Sequence, residues 1–255
     1  MKVIWIIAKN TYLELIRDRV LYGLIVFAVL LMGLSLLLGE LSFAEQSRIS
    51  ANFGFTAIHL SMVILSIFVG STLVAKEIEK KTILTLLARP LSRLQFLIGK
   101  CLGLSLVTFT VVLGLGFILG LVFFFLGVSI NLEFLTALFG ILLESLVLLG
   151  VTIFFGSFAT PMMVVAFSIG IFTIGHWLSD LAFFAQKSRS LTFDLFSEVI
   201  AFLLPNLEKF NWRSAVSYHE RVGAIEVGAA LGYSVAWFVI LITLTSLILR
   251  RKDFA

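Results

Sequence analysis

The chain has 255 residues, 60% of them hydrophobic and 13% charged, with 26 phenylalanines and a mean hydropathy of +1.11. These values exclude a water-soluble globular core and place the chain among polytopic membrane proteins. The net charge of +4 is modest, and its basic clusters abut apolar stretches, so the positive-inside rule explains them better than nucleic-acid binding does. A single cysteine, Cys101, excludes an intrachain disulfide.

Residues 1–19 are too charged to span a membrane and lack the small-residue cleavage site of a signal peptide. As a helix they place Lys2, Lys9, Asn10 and Arg17 on one side and Ile4, Trp5, Ala8, Tyr12, Leu15 and Ile16 on the other. Such a helix lies in the inner interface, with Trp5 and Tyr12 as anchors. Six apolar stretches follow, at 20–39, 57–75, 101–126, 134–155, 161–178 and 225–249, each near the roughly 20 residues that cross about 30 Å of hydrocarbon. With the amino terminus inside, both termini and the central loop face the cytosol, together with thirteen of the nineteen Lys and Arg. Arg48, Lys187, Arg189, Lys209, Arg213 and Arg221 remain outside, and the inverted topology is rejected because it would expose most of the positive charge there.

The central loop, 75–100, reads AKEIEKKTILTLLARPLSRLQFLIGK. Ile78, Thr82 and Leu86 recur along one side of a helix predicted over 76–88, which stops at Arg89 because Pro90 follows. Ser92 and Gln95 form a capping box for a second helix that continues into the third span. A short water-facing helix is thus held between two spans by a proline turn. In the third span, Gly99 with Gly103 and Gly116 with Gly120 stand at the spacing that permits close helix approach, within one bundle or at a dimer seam. Between the fifth and sixth spans, Thr192 is expected to cap a helix whose Phe196, Val199, Ile200, Leu203 and Leu204 form one face, ended by Pro205. That helix is expected in or dipping into the outer interface, as a gate or as simple interfacial packing.

No phosphate loop is present: Leu94 stands five before Gly99 where glycine is needed, and Cys101 replaces the hydroxyl residue after Lys100. His219-Glu220 begins like a zinc-protease motif, but Gly223 occupies the place of its second histidine, and Ser105 and Ser157 lack the glycines of a nucleophile elbow. Glu144 is the exceptional residue. It lies near the middle of the fourth span, where an ionised carboxylate costs about 2.5 to 3.5 kcal/mol. Either it lines a translocation path or a moving helix seam, or it is a protonated carboxyl tied to a hydroxyl such as that of Ser145. His59, His176 and His219 have no ligand spacing, and Met162-Met163 lie at the inner end of the fifth span, so no metal site is expected and the histidines are read as interface anchors.

The order Glu77, Lys80-Lys81-Thr82, Leu86-Leu87, Arg89-Pro90-Leu91-Ser92-Arg93 and Ile98-Gly99-Lys100 resembles the cytosolic loop of type 2 ATP-binding-cassette transporter permeases. Lys81 stands where that family usually has glycine before the threonine. The run Pro205-Asn206-Leu207-Glu208-Lys209-Phe210-Asn211-Trp212 is similar to the same family, more closely to its branch beside copper-enzyme maturation and gliding-motility systems. The resemblance implies an all-α membrane protein with six transmembrane helices, an amphipathic elbow helix at 1–19, a cytosolic coupling helix within 76–100 and short outer helices within 179–224 that close the external end. It further implies an inner-membrane exporter permease that docks on a separate ATPase subunit through Glu77, Glu79, Lys80, Lys81, Thr82, Leu86, Arg89, Pro90 and Arg93. ATP and magnesium would bind that partner and no cofactor this chain; a second permease subunit, in a homodimer or a heterodimer, and membrane lipid complete the expected partners. A non-transporting anchor or signal relay on the same ATPase, and an intramembrane hydrolase, are the alternative readings.

Overall fold

The structure, a computed structural model, describes residues 2–40, 46–72, 92–188, 190–218 and 221–251. Among these it contains nine α-helices and no strand, and six of the helices are long and apolar enough to cross a membrane. The expected helix at 76–88, with Glu77, Glu79, Lys80, Lys81, Thr82, Leu86, Arg89 and Pro90, lies outside the described residues, as do His219 and Glu220.

Helix α1 (Lys2–Ile16) precedes α2 (Arg19–Glu40), and between them the Asp18 carboxylate accepts the Val20 amide at 2.9 Å. Helix α1 buries Ala8, Thr11 and Leu15, whereas Trp5, expected on the same side as Ala8, is 60% exposed, as an interface anchor must be. The second long helix, α3 (Gln46–Thr72), begins about three turns before the apolar stretch expected at 57. Its first turns look too polar to span, yet Ala51 and Phe55 enter the core and Asn52 accepts a hydrogen bond from Ser217. A π-helical turn at Leu65–Val69 lets Ser66 donate to the Ser145 carbonyl of the neighbouring helix.

Helix α4 (Arg93–Phe125) starts with the expected capping box: Ser92 Oγ accepts the Gln95 amide at 3.2 Å and Gln95 Oε1 accepts the Ser92 amide at 3.3 Å. Its 33 residues make a rod of about 50 Å, so its first turns project beyond the hydrocarbon. Those turns carry Gly99 and Gly103, on which α1 rests: a Cβ on Gly103 would stand 2.7 Å from the Ala8 carbonyl oxygen. Lys100 Nζ lies 3.9 Å from Glu14, and Arg93 donates to the Leu249 carbonyl at 2.6 Å, tying the start of α4 to the end of the last helix. These contacts define a basic end of the bundle. The glycines expected to bring helices together therefore do so within the chain, Gly116 against Leu138 included.

Helix α5 (Leu132–Gly156) is central with α3, and Phe55, Phe123 and Phe134 join α3, α4 and α5 edge-on at centroid distances of 5.3 to 6.4 Å near the far end. Helix α6 (Pro161–Ser188) runs ten residues past the stretch expected to end at 178, because its amphipathic continuation still packs Ala185. Helix α7 (Leu191–Leu203) has Ser190 at its N-cap, with no side-chain cap bond, and Thr192 inside its first turn rather than capping it. Ser197 alone is buried on it, while Phe196, Val199, Phe202 and Leu203 are exposed, an apolar face that the described residues leave uncovered. A 3-10 turn at Glu208–Phe210 and helix α8 (Arg213–Tyr218) lead to α9 (Ala224–Arg251).

Candidate functional site

Glu144 stands 12 residues from the far-end start of α5, His59 13 from that of α3, and His176 12 from the far end of α6. At about 1.5 Å per residue the three lie at one depth, roughly 18 to 20 Å from those helix ends. They meet. His59 Nε2 is 2.9 Å from both oxygens of Glu144, and His176 Nε2 is 3.4 Å from Oε1. Glu144 is 1% exposed and His59 7%, so the two histidines are not interface anchors but partners of a carboxylate sealed between three spans. Nor is Glu144 tied to Ser145, whose hydroxyl donates to Ile141 one turn back.

The fourth member comes from the far-end loop. After α7, Leu207, Phe210 and Trp212 are fully or almost fully buried, against Val63 and Ile67 of α3, Leu143 and Val147 of α5 and Ala230 of α9. The backbone enters where side chains are missing. Leu207 donates its amide to the Gly175 carbonyl at 3.0 Å, a Cβ on Gly175 would meet the Pro205 carbonyl at 2.8 Å, and Gly140 lies against the Phe210 carbonyl. Asn206 and Trp212 fasten the segment to α9 through Tyr233 and Glu226. Residues 205–213 are therefore a plug, and only α7 lies exposed as the sequence led one to expect.

The plug delivers Arg213, whose Nη1 lies 2.6 Å from His59 Nδ1 and whose Nε donates to Asn211 at 2.8 Å; Asn211 in turn donates to Glu208 at 2.9 Å. A guanidinium can only donate, so His59 Nδ1 is the acceptor and the ring proton sits on Nε2, shared between the Glu144 oxygens. Burial pushes the Arg213 guanidinium below its ordinary value, and the Glu144 and Glu208 carboxylates draw it back up. Arg213 and Glu144 are thus joined through the His59 ring, a cation and a carboxyl on one chain of contacts, which offsets the cost of an acid at this depth. On the other side, His176 Nδ1 donates to the Phe172 carbonyl at 3.1 Å.

Residues 5–254 match the family described as ABC-2 family transporter protein. The chain belongs to that family. No curated protein matches it. It is thus an ABC transporter permease and a multi-pass membrane protein, in keeping with its six apolar helices. Of the ATPase-coupling residues that the resemblance implied for this ABC-2 permease, Arg93 alone is described, and its guanidinium is engaged with the carbonyls of Leu249 and Arg250. Glu144 is where the sequence put it. Its partners escaped because spacing along the chain says nothing of spacing across helices, and because the apolar stretches at 57–75 and 161–178 put His59 and His176 at span ends, whereas the longer helices put them at the depth of Glu144. Nothing in the sequence singled out Arg213 among the charges of its loop.

Proposed function

We propose that this ABC-2 permease exports a substrate across the inner membrane, driven by a separate ATPase that docks on the loop between α3 and α4. Both termini and that loop face the cytosol in this reading, with a second permease subunit completing the path. The observation that carries it is the rod α4. A displacement at Ser92 is transmitted along one capped helix to Phe125, and α1, seated on Gly99 and Gly103, must move with it. Arg93 couples the same motion to the end of α9.

At the far end, the plug and the Arg213–His59–Glu144 chain form the seam that must part for substrate to leave. Each of its bonds joins two different elements, so the seam is either closed as a whole or open. Glu144 is the pivot of a moving seam in this reading.

Reconstitution with the cognate ATPase tests the proposal. Substituting Glu77 and Arg89 is expected to uncouple ATP hydrolysis from export while the protein still inserts; coupled activity unchanged by both substitutions removes the loop from the mechanism. Accumulation of substrate in inverted vesicles separates an exporter from a relay that uses the same docking without transport.

A further inference from the structure

Two acceptors face each other across the seam. The Phe172 carbonyl holds a proton on Nδ1 of His176, so that in the neutral ring the Nε2 lone pair is aimed at Glu144 Oε1 at 3.4 Å. That Nε2 atom is buried and makes no hydrogen bond, although a carboxylate stands beside it. Lone pair against carboxylate is repulsive, and the contact becomes favourable when a cation lies between them.

We propose that His59, Glu144 and His176 bind a divalent transition-metal ion of the zinc type, for which Arg213 substitutes when the ion is absent. Three donor atoms, one from each of α3, α5 and α6, lie within 4.8 Å of one another. Around a tetrahedral zinc, with bonds of about 2.0 to 2.1 Å, ligand atoms stand roughly 3.3 Å apart, so small side-chain shifts suffice. Two imidazoles and a carboxylate, without a thiolate, favour zinc, nickel, cobalt or iron(II) over calcium, magnesium or copper(I). A backbone carbonyl holding the far nitrogen of a histidine, as Phe172 holds His176, is the support that metal-binding histidines commonly have. Three protein ligands leave a coordination position open towards the seam.

Arg213 makes the site conditional. Its contact with His59 Nδ1 keeps the ring proton on Nε2, the atom that would bind the metal. A bound ion requires that proton on Nδ1, facing the guanidinium, and the two donors repel. Metal and the Arg213 contact therefore exclude each other. When the ion binds, the guanidinium withdraws towards Asn211, to which it already donates and which donates in turn to Glu208, and the plug loses its polar link to His59 of α3 while keeping its apolar contacts with Val63 and Ile67. The site is a cation-operated release of that link. It does not depend on the coupling loop, so its failure leaves the exporter reading intact.

The test uses the full chain in detergent, purified with a histidine-free tag and stripped by chelator, then titrated with Co2+ and Zn2+. The expected result is stoichiometric Co2+ with the visible bands of a four- or five-coordinate nitrogen and oxygen site, displaced by Zn2+. Glu144→Gln and His176→Gln each weaken binding by about tenfold or more, and Arg213→Gln tightens it by about tenfold by removing the competitor. A gain of affinity in Arg213→Gln that is lost again when Glu144→Gln is added does not come from exposed histidines of a misfolded chain, so this pair of variants decides the matter even where the single ligand variants are unstable. Absence of Co2+ bands and of retained Zn2+ in both the wild type and Arg213→Gln overturns the proposal and leaves a proton as the cation of the seam. Equal binding by the wild type, Glu144→Gln and His176→Gln overturns it as well.

Discussion

Gly140 of α5 lies so close to the carbonyl of Phe210 that no side chain fits between them, and the Trp212 ring stands 3.1 Å from where a Cβ would be. This contact lets a loop from the far end lie inside the bundle. Gly140→Ala is therefore expected to lift the plug and destabilise the protein by about 1 to 3 kcal/mol. Gly114→Ala, on α4 with open space around it, is the control and leaves stability nearly unchanged. Thermal unfolding of both variants in the same detergent checks the difference.

The His59–Glu144 pair is sealed from water, so removing one partner costs more than removing both. His59→Leu leaves the buried Glu144 carboxyl without its 2.9 Å partner, and a loss of about 3 kcal/mol is expected. The double variant His59→Leu, Glu144→Leu should recover only part of that loss, because it leaves the Arg213 guanidinium without either partner. A double-mutant cycle measures it, and additive single effects would show that the two side chains do not act together.

Arg213 fastens the plug through its fork of donors, and a lysine cannot reproduce both bonds, to His59 and to Asn211. In a Cys101→Ser background, a cysteine at Leu207 should be labelled slowly by a water-soluble thiol reagent, because Leu207 is fully buried. Arg213→Lys is expected to speed that labelling several-fold, and the labelling rate is the measurement. An unchanged rate would mean that Gly140 and Gly175 hold the plug unaided.

At the basic end, Gly103→Val places two methyl groups where Ala8 and Thr11 now touch α4. Helix α1 is expected to leave its seat, breaking the 3.3 Å contact between Tyr12 and Thr110. A bifunctional thiol crosslinker about as long as the tyrosine side chain should join cysteines at 12 and 110 in the Cys101→Ser background and fail to do so once Gly103→Val is added. Ser92→Ala is milder: removing half of the capping box costs about 0.5 to 2 kcal/mol and frays the first turn of α4, which faster amide exchange at Gln95 to Leu97 reports.

Much of this architecture is written in the order of the residues. Apolar length set the number of long helices, the Ser92–Gln95 pair set where α4 begins, and the paired glycines marked a helix made for close contact. Each of these signals is local, since a helix satisfies its own backbone and its caps lie within four residues. The sequence also showed that Glu144 needed an explanation, because a carboxylate among leucines carries its cost with it wherever the helix packs.

What answers Glu144 was decided only by packing. His59, His176 and Arg213 are 85, 32 and 69 residues away along the chain, and they meet because three helices cross at one depth while Gly140 and Gly175 admit a loop between them. The beginning of α3 was hidden for the same reason: hydropathy averages over a window, whereas Asn52 and Arg48 are accommodated by particular neighbours, among them Ser217 and the Tyr218 ring, that exist only in the folded bundle. Sequence by itself thus determined how many times the chain crosses and which residue stands out, because both follow from the transfer of local groups between water and hydrocarbon. The tertiary structure alone decided what neutralises that residue, because the partners of a buried charge are chosen by distance in space.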